Sequence, residues 1–361
     1  MLGETIKATR EFLKPNGRRL ATIEGPTSCD RRCDYCAVWQ RWNPETASTL
    51  EQTFRQIDWL CTQGYRVLNY VGGEPFAPFK TREGITFTEH TAQVVKYAAE
   101  KGMLVWVTTN GDYVNEDSLR RIREAGVATL TFSLHSLKEP AIRHLTKVAK
   151  MAAREGMPAV VNVVFTSDRT EIIPRLAAGF AENGILFNTT IAQERGGGFS
   201  AIPSQSKIPT VEQQRQVFAN LIELKKAGFI TDNSKYLIHA PDFPKNSWVC
   251  DSEKDTFIHI RAVGPGEIGV CSEIQTPLKV GDVNLDDSRW REVKRRLVHD
   301  CRGCLYGCTF QNQNSVAGDF RSYALMALIK AGQAGLVEQL GRRAVQKLRS
   351  RNPDVWTPLS I

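Results

Sequence analysis

The stretch RLATIEGPTSCDRRCDYC, residues 19–36, runs from a short apolar strand candidate straight into Cys29, Cys33 and Cys36. Thiols at i, i+4 and i+7 could mark one face of a helix. The context argues otherwise. The loop follows a strand, and Asp30, Arg31, Arg32 and Asp34 separate the thiols. A loop at the C-terminal end of a strand is where α/β proteins build their sites.

Working outward from that loop, apolar runs of strand length alternate with helical patterns. The runs are RVLNYVGG (66–73), MLVWVTTNG (103–111), ATLTFSLHS (128–136), PAVVNVVFT (158–166) and ILFNTTIAQ (185–193). Between them lie five segments with helical spacing, and each ends in a glycine, a helix stop signal. Continuous apolar runs predict strands buried on both faces. Six strands joined by helices predict a parallel βα array, either an open doubly wound sheet or a curved partial barrel. Near residue 195 the pattern changes to a glycine- and proline-rich loop. From about 236 the period shortens, and five more cysteines follow.

Composition limits what such an array can be. The 361 residues are 42% hydrophobic and 24% charged, an ordinary globular balance. At this length burial needs no disulfide staples. No apolar signal core opens the chain, and no apolar run approaches the ~20 residues of a membrane span. The expected location is the cytoplasm. In a reducing compartment, nine cysteines, an odd count, point to metal or redox chemistry. No nucleic-acid-binding module is visible.

For the first cysteine loop, zinc commonly takes four protein ligands, or histidine-rich sets when catalytic, and no histidine lies nearby. Three thiolates suit a cubane iron–sulfur cluster with one iron left open. Here C-x3-C-x2-C, with Tyr35 before the last cysteine, resembles the signature of the radical SAM superfamily. VGGEP (71–75) resembles that family's GGE motif, and TTNG (108–111) its Thr-Asn-Gly element. The resemblance spans about residues 20–195. It implies a partial (β/α)6 TIM-like barrel over residues 20–235. It also implies a [4Fe–4S] cluster on Cys29, Cys33 and Cys36, and a site for S-adenosylmethionine (SAM) contacted by Tyr35, Gly72, Gly73, Glu74, Pro75, Thr109 and Asn110. Glu74 would accept a hydrogen bond from the SAM ammonium. Ser133 and Asn162 match positions that touch the carboxylate or ribose. The implied chemistry is reductive cleavage of SAM to methionine and a 5′-deoxyadenosyl radical, which abstracts a substrate hydrogen or adds to the substrate.

The later cysteines are Cys250, Cys271, Cys301, Cys304 and Cys308. IHIRAVGPGEIGVC reads as a hairpin ending at Cys271, followed by DCRGCLYGC. On these residues alone, zinc and an iron–sulfur cluster are equally open. After a radical SAM core the arrangement resembles a SPASM/Twitch extension (236–315). That resemblance implies one auxiliary [4Fe–4S] cluster on Cys250, Cys271, Cys301 and Cys304, with Cys308 spare or substituting. Cys61 reads as a buried core thiol. His135, after the fourth strand, could face the substrate, though a satisfied strand-end residue is the commoner case.

The last 46 residues hold seven Lys/Arg against three Asp/Glu, half of the net +8. SYALMALIKAGQAGLVEQL predicts an amphipathic helix packed on the core, with GRRAVQKLRSR as a basic continuation. Arg31 and Arg32 could dock an acidic flavodoxin or ferredoxin that delivers electrons. About twenty residues precede the first strand, too few for a peptide-recognition domain, so the expected substrate is a small biosynthetic molecule. A peptide-modifying maturase, an adenosyl transferase and a non-catalytic iron–sulfur or zinc scaffold are the alternatives.

Overall fold

The computed structural model describes residues 17–26, 28–41, 43–192, 207–242, 248–301, 307–314 and 320–359. The first half alternates as its pattern predicts. β1 (Leu20–Glu24) leads into the cysteine loop. Then come α1 (Leu50–Thr62), β2 (Val67–Val71), α2 (Phe87–Glu100), β3 (Leu104–Thr109), α3 (Glu116–Glu124), β4 (Thr129–Ser133), α4 (Glu139–Arg154), β5 (Ala159–Phe165), α5 (Ile172–Glu182) and β6 (Leu186–Ile191).

Local chemistry sets the helix ends. At the start of α1, Thr49 accepts from the Gln52 amide while the Gln52 side chain accepts from the Thr49 amide, a reciprocal cap. At its end Gly64 takes φ +88°, where a side chain would be strained. The Gly64 amide then donates to the Cys61 carbonyl (3.1 Å) and the Tyr65 amide to the Leu60 carbonyl (3.0 Å), which closes the last turn. The glycines that end the other four segments also have positive φ.

The six strands lie in the order β6-β5-β4-β3-β2-β1, every pair parallel. Thr22, Asn69, Thr108, Thr131, Asn162 and Asn188, one from each strand, line a single cavity. One face of six adjacent strands can border one cavity only if the sheet curls, so the array is a partial (β/α)6 barrel. The strands are not buried equally on both faces. In β3, half-buried and buried residues alternate, because Trp106 and Thr108 open onto the cavity while Val105 and Val107 pack outward against the helices.

The remaining described elements are α6 (Val211–Lys225), α7 (Ser234–His239), β7 (Phe257–Arg261), β8 (Glu267–Gly269), β9 (Gln275–Lys279), α8 (Ser288–Asp300), α9 (Gly307–Asn314), α10 (Phe320–Lys330), α11 (Ala334–Arg349) and α12 (Pro353–Trp356). β7 and β8 form the antiparallel hairpin expected over IHIRAVGPGEIGVC. The hairpin does not stand apart from the barrel. β7 pairs parallel with β1, Thr22 opposite His259, so the sheet continues to nine strands.

The stretch from Ser322 to Arg349 forms two helices where its periodicity predicts one. Gly332, at φ +76°, breaks the chain between α10 and α11. α11 crosses α5 at Gly341, where a Cβ would stand 1.8 Å from the Ala181 carbonyl oxygen. Among the described residues no helix is long and apolar enough to cross a membrane.

Candidate active site

Three loops at the C-terminal ends of β1, β2 and β3 meet at one end of the cavity, whose volume is about 420 Å³. Backbone bonds fasten the first loop to the second. The Gly73 amide donates to the Pro26 carbonyl and the Glu74 amide to the Ser28 carbonyl, each at 3.0 Å. Gly72 is required by this approach, since a Cβ there would lie 2.8 Å from the Pro26 oxygen. Side chains fasten the first loop to the third. Asn110 Nδ2 donates to Asp30 Oδ1 (3.0 Å), and Arg31 Nε donates to Asp112 Oδ2 (2.8 Å).

Cys29, Cys33 and Cys36 all line the cavity, together with Tyr35, Gly72, Gly73, Thr109, Asn110, Ser133 and Asn162. The expected SAM contacts are thus brought together with two exceptions, Glu74 and Pro75, which do not line it. Glu74 is fully buried behind the second loop. Its Oε1 accepts from Thr109 Oγ1 (2.6 Å) and the Phe76 amide (3.0 Å), and its Oε2 accepts from the Asn110 amide (2.6 Å). Its carboxylate therefore braces the Gly-Gly loop against the Thr-Asn turn. Burial pushes its pKa up to about 7, against those three hydrogen bonds. The Pro75 carbonyl accepts from Thr91 Oγ1, which anchors the same loop to α2.

The thiols suit a metal cluster. Burial pushes Cys29 up to about 12, aided by Asp30, Glu74 and Cys36, and burial also raises Cys33. Without a cation these thiols keep their protons, and binding iron would displace them. Among the described residues no three His, Cys, Asp or Glu side chains are grouped to hold a single metal ion. The three thiols border one cavity.

His135 also borders the cavity. Burial, with Arg31 and Arg169 nearby, holds its pKa down to about 4. Arg31 pairs with Asp112 and lines the cavity. The Arg32 guanidinium lies over the Trp39 ring, 5.5 Å from its centroid.

Several lining residues lie outside the recognised motifs. Asn69, Thr131 and Asn188 stand at alternate positions in strands that read as apolar runs, and that alternation is the signal that could have found them. Asn162 Nδ2 donates to Asn188 Oδ1 (2.7 Å), linking β5 to β6. Asp232 accepts from the Thr189 amide (2.9 Å) and from Gln311 Nε2 (3.0 Å), which brings α9 to the cavity wall.

The second cysteine group is less complete. Cys271 is buried with Leu20, Val67 and Phe257, Cys301 is buried at the end of α8, and Cys250 is half-buried against the main core. Among the described residues these three are not grouped as metal ligands. Cys304 and the Cys308 side chain lie outside the described residues. Cys61 packs against the core but is half-buried, where the sequence predicts a buried thiol.

Comparison with known proteins bears on the first site. Residues 23–167 match the family model of the Radical SAM superfamily. The Fe-coproporphyrin III synthase of Methanosarcina barkeri is 27% identical over 112 residues, 31% of this chain and 26% of that protein. The PqqA peptide cyclase of Granulibacter bethesdensis is 21% identical over 228 residues, 57% of this chain and 58% of that protein. The chain thus spans between a quarter and three-fifths of these curated relatives. Streptococcus suis SuiB, solved bound to precursor peptide SuiA, superposes with a TM-score of 0.58 at 16% identity, over 81% of this chain and 70% of SuiB, a likeness of fold. The family match begins within β1 and runs just past β5, so the part of the chain that matches the Radical SAM superfamily encloses all three loops of the site.

Proposed function

We propose that this protein binds SAM beside a [4Fe–4S] cluster on Cys29, Cys33 and Cys36 and uses it for a radical modification of an organic substrate. When bound, that pair supplies a 5′-deoxyadenosyl radical by reductive cleavage of a carbon–sulfur bond. The chain's own part is placement and exclusion of water. The observation that carries the reading is the convergence of the thiol loop, Gly72–Gly73 and Thr109–Asn110 on one cavity. Gly72 and Gly73 offer backbone without side chains, and Asn110 and Ser133 offer hydrogen-bonding groups. The test is anaerobic incubation of iron-reconstituted protein with SAM and dithionite. Formation of 5′-deoxyadenosine, absent in a Cys29/Cys33/Cys36→Ala variant, supports the reading. No cleavage by a protein loaded with iron would leave a non-catalytic scaffold.

For the substrate, the first reading is a small biosynthetic molecule. A cavity of about 420 Å³ lies within the range of small-molecule sites and must also hold SAM. The second reading is a peptide, favoured by likeness to a peptide cyclase and to SuiB, whose structure holds a precursor peptide. On the C-terminal thiols we infer an auxiliary cluster involving Cys250, Cys271, Cys301, Cys304 or Cys308. It is supported by their number and by the hairpin that carries Cys271.

A further inference from the structure

His135 follows β4, across the cavity mouth from the cysteine loop. Its Nδ1 lies 3.3 Å from Cys33 Sγ and 2.7 Å from Tyr35 Oη. The ring stacks on Tyr35, with centroids 6.2 Å apart and planes 19° from parallel. Its backbone carbonyl accepts from Arg169 Nη2 at 3.0 Å. The imidazole is thus held from β4 and from the chain after β5, and it reaches into the loop that carries the thiols.

A sulfur bound to iron has no proton to give. The contact with Cys33 can then be a hydrogen bond in one sense only, with Nδ1–H donating to sulfur. Tyr35 Oη, 2.7 Å from the same nitrogen, can accept that hydrogen, and its own hydroxyl hydrogen can donate to Cys33 Sγ. A donor aimed at a ligand sulfur stabilises the added negative charge of the reduced cluster and raises its potential.

We propose that His135 is a positioning residue that sets the reduction potential of the cluster at Cys29, Cys33 and Cys36, through an Nδ1–H shared between Cys33 Sγ and Tyr35 Oη. The inference rests on the reading of this loop as the cluster site. The redox event is the entry of one electron from an external donor. No bond is made or broken at His135.

The test is a potentiometric titration of the reconstituted protein with dithionite, followed by the electron paramagnetic resonance signal that the Cys29/Cys33/Cys36→Ala variant lacks. His135→Phe should shift that signal to a more negative potential at unchanged iron content. His135→Gln, which keeps an N–H donor, should restore part of the loss. In a Tyr35→Phe background His135→Phe should still lower the potential, because the Nδ1–H bond to sulfur does not need the phenol. If His135→Phe fails to hold iron, His135→Leu is titrated in its place. Full iron with an unchanged potential in the His135 variants overturns the proposal and leaves the cluster reading intact. Absence of any iron lost with the three cysteines overturns both.

Discussion

At the residue scale, Glu74 is legible as a motif residue, and the structure adds what fastens it. The Thr109 hydroxyl and the Asn110 and Phe76 amides all donate to its carboxylate, and the motif does not specify these partners. The energetic consequence is testable. The folded-state pKa of about 7 lies above the unfolded value of ~4.3. Between them the folded protein binds more protons, so this contribution is complete below the lower value and lost as pH rises through the upper one. Glu74→Gln should flatten the fall in unfolding free energy over that window, as read by denaturant titrations across the pH range. Equal slopes would contradict it. Thr109→Val removes a buried 2.6 Å hydrogen bond and should cost about 1–2 kcal/mol of stability in the same experiment. Gly72 is a point of close approach. What approaches it is the Pro26 carbonyl, a contact set by the strand pairing.

At the scale of elements, the alternation of strands and helices could be read directly, because apolar run length and terminal glycines carry it. All five glycine stops coincide with positive-φ residues just past helix ends. The inner face of the sheet was obscured for a physical reason. Asn69, Thr108 and Thr131 line a cavity, so polar residues interrupt runs that otherwise look buried on both sides. The tail's break at Gly332 was missed because both flanking segments are helical and a lone glycine within a helical pattern reads as tolerated. Gly341 has the opposite character: it lies inside α11 and lets that helix meet α5. Gly341→Ala gains ~1 kcal/mol of helix propensity, yet its Cβ would meet the Ala181 carbonyl at 1.8 Å. Overpacking should prevail, with a net loss of about 1–3 kcal/mol in denaturant unfolding. A stabilised variant would mean that α11 does not pack at this crossing.

Across the whole molecule, β1 is the hinge of the design. It pairs with β2 on one side and β7 on the other, so the barrel that holds the first cysteine loop and the hairpin that carries Cys271 share one sheet. This arrangement was not legible, because pairing between strands more than two hundred residues apart leaves no local pattern. The cysteine loop lies at the edge of the cavity and contributes little to the core. Replacing Cys29, Cys33 and Cys36 with alanine should therefore leave the far-ultraviolet circular dichroism spectrum and the cooperative unfolding transition essentially intact. Loss of the fold in that variant would show that the thiols pack structurally. Given a folded variant, iron and sulfide content after anaerobic reconstitution tests the central claim most directly. The account predicts that wild type holds about four more irons per chain than the triple variant, one cubane's worth. Equal iron in the two proteins would contradict it.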